Sequence, residues 1–218
     1  KEYEFAGSLV EKFAAYHRQS YACKVGVSDV LIGASQTIAE YNGAAKASHI
    51  KDKIVEMNQL NETLYCGCIA CASEGCREPS GTYCVDPLLA NVHKQNVTRF
   101  PYEIARLAQD IAGGLMVTLP SEADLRSPEV GKWVEKFCKG VEGVPVEDRM
   151  RILRLIENLT LGTAAVGYLT ESMHGAGSPQ AQRIMIARLV DLKAKQRKAK
   201  RLCGIGEESS GIQIEAKP

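Results

Sequence analysis

Residues 5–43, FAGSLVEKFAAYHRQSYACKVGVSDVLIGASQTIAEYNG, decide the fold. Apolar residues recur at helical spacing and Asn42-Gly43 supplies a stop, so the pattern predicts one long helix over 5–41, or two in tandem. Residues 44–72 repeat the pattern, with Ile50, Ile54, Met57, Leu60 and Leu64 on one stripe. EGCREPSGTYCVDP, residues 74–87, is rich in turn formers and reads as a loop. A third helix is predicted after Asp86-Pro87, with Asp as cap and Pro in the first turn. Proline disrupts a helix interior, so this helix is expected to break near Phe100-Pro101 and resume through YEIARLAQDIAGG to the Gly113-Gly114 pair.

The second half of the chain continues in the same way. TLPSEADLRSPE, residues 118–129, reads as a loop, and SPEVGKWVEKFCKG, residues 127–140, as a short capped helix. Residues 146–174 read as one long amphipathic helix, opened by Glu147 and Asp148, which suit a helix N-terminus. HGAGSP at 174–179 breaks it, a last helix covers 179–202, and GIGEESSGIQIEAKP is a polar tail. No alternating strand stands out. The expected fold is all-α: a helical bundle over residues 1–205 with a tail over 206–218.

Composition narrows the partners. The 218 residues carry 27 Lys and Arg against 26 Asp and Glu, for a net charge of +1. That balance argues against nucleic acid or a membrane surface as the main partner. The one basic run, Lys193, Lys195, Arg197, Lys198, Lys200 and Arg201, lacks interleaved aromatics and reads as a solvated helix face. No apolar run reaches the length of a membrane span and no signal peptide is evident, so a cytoplasmic location is expected. The first residue is Lys, so the chain is expected to begin inside a longer gene product. The 8 cysteines suggest a reducing compartment, as thiols or metal ligands.

Four stretches carry candidate chemistry. The first is the cluster Cys66, Cys68, Cys71, Cys76 and Cys84. Its spacing resembles a thiolate metal site, yet Cys66 turns away from the face of Cys68 and Cys71 at about 100° per residue. Buried thiols that pack as small hydrophobes are the favoured alternative. The second is His17-Arg18-Gln19-Ser20-Tyr21-Ala22-Cys23-Lys24. In a continuous helix His17, Tyr21 and Lys24 share a face, offering a base or ligand, a phenol and a cation. The alternative is an ordinary amphipathic helix with a half-buried His and a snorkelling Lys. The third is Gln109-Asp110-Ile111-Ala112-Gly113-Gly114, where glycines permit close backbone approach or simply cap a helix. The fourth is Glu171-Ser172-Met173-His174-Gly175-Ala176-Gly177-Ser178-Pro179. It offers an acid–base pair at i, i+3, or a helix end whose Ser178 caps the next helix.

YHRQSY followed by CK, DVLIGA, EYNG, PSGTYCVDPLLANVHK and GYLTESMHGAGSPQAQR together resemble the C-terminal part of the 4-hydroxybutyryl-CoA dehydratase/vinylacetyl-CoA Δ-isomerase family. The similarity runs in order over roughly residues 5 to 205. The wider superfamily includes flavin-dependent 4-hydroxyphenylacetate monooxygenases and shares the acyl-CoA dehydrogenase fold, whose C-terminal domain is a helical bundle. The resemblance implies conversion of 4-hydroxybutyryl-CoA to crotonyl-CoA by a flavin radical route, with FAD and a [4Fe–4S] cluster acting as Lewis acid. It puts cluster ligands on His17 and Cys23, with two further cysteines expected upstream of Lys1. It makes His17, Tyr21, Lys24 and Glu171 catalytic candidates and carries FAD contacts to Gln109, Gly113 and Gly114. It gives the five-cysteine cluster no ligand role. The implied partners are a short-chain acyl-CoA substrate, upstream domains of the same enzyme and a homotetramer, and the fragment alone is expected to be inactive. Two other functions remain open: a flavin-dependent aromatic monooxygenase-like domain, or a helical assembly module without chemistry.

One departure from the family pattern has a structural consequence. Five residues separate His17 from Cys23 where six are expected. On a regular helix Cys23 then points about 120° away from His17. Joint ligation requires a local distortion between them.

Overall fold

The computed structural model describes residues 2–205, and the chain is a helical bundle. The expected polar tail at 206–218 lies outside the described residues. The tandem form of the first helix is the one adopted: α1 (Glu2–Gln19) and α2 (Cys23–Tyr41) join through a 3-10 turn at Ser20–Ala22. α3 (Ser48–Ser73) returns alongside α2. α4 (Pro87–Val97) starts at Asp86, whose Oδ1 accepts from the Leu89 amide at 2.7 Å. α5 (Phe100–Ala112) follows with Pro in its first turn and ends at Gly113, φ +75°. α8 (Val146–Thr160) completes the apolar centre.

That centre lies where α2, α5 and α8 meet. Leu31 and Ile38 of α2, Ile104 and Ala108 of α5, and Leu153 and Ile156 of α8 are fully buried there, with Met57 of α3 beside them. The spacings Leu31–Ile38, Ile104–Ala108 and Leu153–Ile156 put each pair on one helical face. Burial of each Leu or Ile side chain stabilises the fold by about 1.5–3 kcal/mol before conformational entropy is counted.

Four expectations need correcting. The stretch 74–87 contains a short antiparallel ribbon, β1 (Cys76–Arg77) with β2 (Tyr83–Cys84). Such short strands carry too few residues for alternation to show. Within 118–129, a short helix α6 (Glu122–Arg126) forms because Ser121 and Asp124 make a reciprocal capping box; α7 (Gly131–Phe137) follows. The helix expected over 146–174 is interrupted at Leu161-Gly162, then runs as α9 (Thr163–Ala165), a π-helical turn at Val166–Thr170 and α10 (Glu171–His174). The last helix divides into α11 (Pro179–Leu189) and α12 (Leu192–Leu202), because Asp191 caps a new start by accepting from the Ala194 amide at 2.7 Å. The basic residues of α12 are exposed, as a solvated face requires.

Candidate active site

The 3-10 turn between α1 and α2 organises the site. It separates side chains that a continuous helix would have put on one face. His17 is exposed, whereas Arg18, Tyr21 and Lys24 are buried at 6%, 4% and 8% exposure. A buried charge is costly unless it is paired and hydrogen-bonded, and each of these finds partners from a distant part of the chain. Lys24 Nζ donates to Glu171 Oε2 at 2.6 Å and to the Gly167 carbonyl at 2.7 Å. The Tyr21 hydroxyl donates to Glu171 Oε1. Arg18 donates through Nη1 to Asn91 Oδ1 at 2.7 Å and through Nε to the Ala176 carbonyl at 3.1 Å.

The opposing wall is the π-helical turn, α10 and the HGAGSP loop. Tyr168, 2% exposed, anchors the π turn to α2 through a 2.8 Å hydrogen bond between its hydroxyl and Ser28 Oγ. Burial pushes its phenol up to about 12. π-helical turns inside α-helices recur at functional sites because they redirect side chains, and this one leads directly into Glu171. Gly175 lies against Tyr21: a Cβ on it would overlap the Tyr21 hydroxyl and come within 2.8 Å of Glu171 Oε1. Glycine at 175 is therefore required by space, since its φ of −62° suits any residue.

Sequence reasoning missed Lys94. It is fully buried on α4, donates from Nζ to the Ser172 carbonyl, and holds its ammonium 4.0 Å from the centre of the Tyr21 ring. Burial pulls its pKa down to about 8, against the raising charge of Glu171; the charges of Lys24 and Arg18 lower it further. The residue stood in the sequence as part of PLLANVHK, but nothing local to α4 marks it as belonging beside Tyr21. Asn91, one turn earlier on α4, accepts from Arg18.

The electrostatics give each group a protonation state. Burial raises the Glu171 carboxyl, but hydrogen bonds from Lys24 and Tyr21 and the charges of Lys24 and Lys94 outweigh it, so the group ends below the ordinary carboxylate value. Burial and the hydrogen bond to Glu171 raise the Tyr21 phenol well above the usual range. At neutral pH the site thus holds an ionised carboxylate, a phenol that keeps its proton, and cations that favour negative charge nearby. Glu171 takes these partners rather than His174, which is exposed, so the i, i+3 acid–base pair is replaced by Tyr21–Glu171–Lys24.

His17 and Cys23 point outward and are both exposed. Neither side chain hydrogen-bonds to another protein group among the described residues. The His17 ring sits between Phe13, at 5.5 Å, and Tyr21, at 5.9 Å. A 3-10 turn advances about 120° per residue, which narrows the angle between His17 and Cys23 from about 120° to about 60°. An imidazole and a thiol free of other bonds and turned toward one side fit two positions of an iron–sulfur ligand set. Among the described residues no group of three or more His, Cys, Asp or Glu could hold a metal ion.

Gln109, Gly113 and Gly114 lie elsewhere. They line a shallow opening of about 430 Å³ with Arg106, Asp110 and Met116, apart from Tyr21, Lys24 and Glu171. The backbone at both glycines faces open space. Of the α3 cysteines, Cys71 is fully buried with Ala15, Val85 and Ala90, Cys68 accepts from Gln19 at 3.2 Å, and Cys66 is exposed.

The family model "HpaB: 4-hydroxyphenylacetate 3-hydroxylase C terminal" matches residues 6–204. The chain belongs to this family. It is 61% identical over 214 aligned residues to the 4-hydroxybutyryl-CoA dehydratase/vinylacetyl-CoA-Δ-isomerase of Clostridium aminobutyricum, an alignment covering 94% of this chain and 44% of that protein. A solved structure of an oxygen-tolerant archaeal 4-hydroxybutyryl-CoA dehydratase from N. maritimus superposes with a TM-score of 0.92 at 62% identity, over 96% of this chain and 42% of that one. The oxygenase component HpaB of 4-hydroxyphenylacetate 3-monooxygenase, solved with FAD and 4-hydroxyphenylacetate, matches at 20% identity and a TM-score of 0.78, over 86% of this chain and 39% of that one. That likeness establishes the shared bundle. The chain spans less than half the length of these relatives. Among the described residues no helix is long and apolar enough to cross a membrane.

Proposed function

We propose that this chain is the C-terminal helical domain of a 4-hydroxybutyryl-CoA dehydratase/vinylacetyl-CoA Δ-isomerase, completed by upstream domains and inactive alone. The observation that carries the proposal is the convergence of Tyr21 and Lys24 on Glu171, across about 150 residues of sequence, in a chain 61% identical to a relative of that name. The reaction converts 4-hydroxybutyryl-CoA to crotonyl-CoA and water. It removes one proton from each of the α- and β-carbons, expels the 4-hydroxyl with one proton as water, and returns the other proton to the γ-carbon, which becomes the methyl group.

His17 and Cys23 would hold one edge of a [4Fe–4S] cluster, and Gln109, Gly113 and Gly114 would meet FAD from a second subunit of a homotetramer. When bound, the flavin supplies one-electron chemistry that acidifies the substrate C–H bonds, and the cluster supplies a Lewis acid toward the hydroxyl. Glu171 serves as a carboxylate that accepts a proton on Oε1 or Oε2. Tyr21 donates from its hydroxyl, and Lys24 keeps the carboxylate ionised and favours negative charge on the acyl group. His17, exposed beside Tyr21, is the second base.

The test is anaerobic iron, sulfide and flavin analysis of the full-length protein with an assay on 4-hydroxybutyryl-CoA, repeated on His17→Ala. Bound iron and flavin, crotonyl-CoA formation, and loss of both iron and activity in the variant are expected. Flavin without iron overturns the dehydratase assignment. Iron and activity retained by His17→Ala overturn the ligand assignment.

A further inference from the structure

The ribbon at 76–84 plays no part in that site, yet it brings two thiols together. Cys76 and Cys84 are register partners across the antiparallel pair. Directly opposed residues have Cα atoms about 4.5–5.5 Å apart, with side chains on one face of the ribbon. A disulfide spans Cα separations of about 4.4–6.8 Å. Both residues line the same cavity of about 280 Å³ between α1 and the ribbon, together with Lys12, Tyr16 and Glu78.

Several contacts fix this register. The Glu78 amide donates to the Thr82 carbonyl at 2.8 Å, the Tyr83 hydroxyl to the Ala72 carbonyl at 2.6 Å, and the Asp86 amide to the Cys71 carbonyl at 3.0 Å. A Cβ on Gly75 would overlap the Cys84 carbonyl and crowd the Tyr83 ring at 2.8 Å, so glycine there lets the strands close. Lys12 bridges the cavity to Glu78 at 2.7 Å. That hydrogen bond raises the lysine's pKa, and its side chain lines the cavity that both thiols line. The two partners also differ in access: Cys76 is exposed and Cys84 half-buried. Cys71 is the contrast, a fully buried thiol that burial pushes up to about 12.

We propose that Cys76 and Cys84 form a redox-active dithiol that closes to an intramolecular disulfide by exchange with a low-molecular-weight disulfide. The exposed Cys76 sulfur attacks one sulfur of the reagent; a protein–reagent S–S bond forms, the reagent's S–S bond breaks, and one thiol leaves with a proton. The Cys84 sulfur then attacks Cys76 Sγ, and a second thiol leaves with a second proton. The protein loses two electrons and two protons, and the reagent is reduced to two thiols. The closed ribbon stays tied through Glu78 and Lys12 to α1, the helix that carries His17.

The experiment treats the full-length protein anaerobically with oxidised glutathione, traps remaining thiols by alkylation, and maps cysteines by mass spectrometry. Cleavage after Arg77 separates the two positions, and fragment-ion sequencing of the bridged pair assigns the bond to Cys76 rather than to Cys66, Cys68 or Cys71 on the same peptide. The wild type is expected to give the Cys76–Cys84 bridge, and Cys76→Ser to lack it. Cys84→Ser is expected to accumulate glutathione on Cys76, because the resolving thiol is gone. Glutathione on each cysteine separately, a bridge from Cys84 to another residue, or both thiols left free in the wild type overturns the proposal.

Discussion

The apolar centre of the bundle and the polar knot at the α1–α2 junction share a helix, α2, and are built by opposite rules. Toward its C-terminal end α2 buries Leu31 and Ile38 among side chains from α5 and α8 that need no specific partner. Toward its start it buries Lys24 and Ser28, and each is matched to a named atom on the π turn, α10 or α2 itself. The first arrangement gains free energy for any apolar residue of suitable volume. The second spends part of that gain on desolvating Lys24, Lys94 and Arg18, in return for a carboxylate and a phenol held in fixed protonation states. The centre therefore governs stability and the knot governs chemistry, and substitutions separate the two.

The largest expected effect is on chemistry. Glu171→Gln keeps an oxygen acceptor for one of Lys24 and Tyr21 but cannot take a proton. Turnover of the full-length enzyme is expected to fall about 10²–10⁴-fold. The thermal midpoint should fall only modestly, because the buried Lys24 ammonium loses its anionic partner but keeps the Gly167 carbonyl. Initial rates of crotonyl-CoA formation and a circular dichroism melt read both quantities. Turnover within threefold of wild type would remove Glu171 from the chemistry. The converse is Leu153→Ala in the centre of α8, where the side chain is fully buried. It is expected to cost about 2–5 kcal/mol of stability by denaturant unfolding while leaving turnover per folded molecule unchanged.

The same contrast explains what was legible in the sequence. The apolar centre is periodic, so Ile50, Ile54, Met57, Leu60 and Leu64 announce a helix and its buried face together. Residues 17–24 announce their chemistry but not their geometry. The pairing of Tyr21 and Lys24 with Glu171 lies about 150 positions away, and the 3-10 turn that sends His17 outward leaves no local mark beyond a shortened spacing. Lys94 was hidden for the same reason: its partners are a carbonyl and an aromatic face, which no spacing encodes. HGAGSP reads as a helix break, yet Gly175 is glycine because the Tyr21 hydroxyl occupies the space. The breaks at Leu161-Gly162 and Val190-Asp191 were missed because amphipathic periodicity continues across them.

Lys94 sharpens the comparison, since it is as buried as the core but belongs with the knot. Lys94→Met keeps the length of the side chain and removes a cation whose pKa burial has pulled down to about 8. Stability at pH 7 is expected to hold or rise, because a buried charge is replaced by a flexible apolar chain. Turnover is expected to drop by about tenfold, because Tyr21 and the segment carrying Glu171 lose the ammonium between them. A melting midpoint that falls together with turnover would assign Lys94 to the core.

The smallest effect tests the neighbouring residue, His93. Its ring is 1% exposed, packs where Gly67 leaves room, and lies beside the Leu64 backbone without reaching hydrogen-bond geometry, so both ring nitrogens are unpartnered. Burial, and then the charge of Lys94, lower its pKa to about 4. The sign follows directly. As pH falls through about 6.5 the unfolded chain binds a proton that the folded chain refuses, so stability held above that pH is lost progressively toward pH 4. Between pH 7.5 and 5.5 the loss is about 1 kcal/mol. His93→Leu, which abandons no hydrogen bond, should flatten that window in urea unfolding measured across pH. An unchanged slope would mean that the ring takes up its proton alike in the folded and unfolded chain, and that the space behind α4 is more polar than the apolar centre beside it.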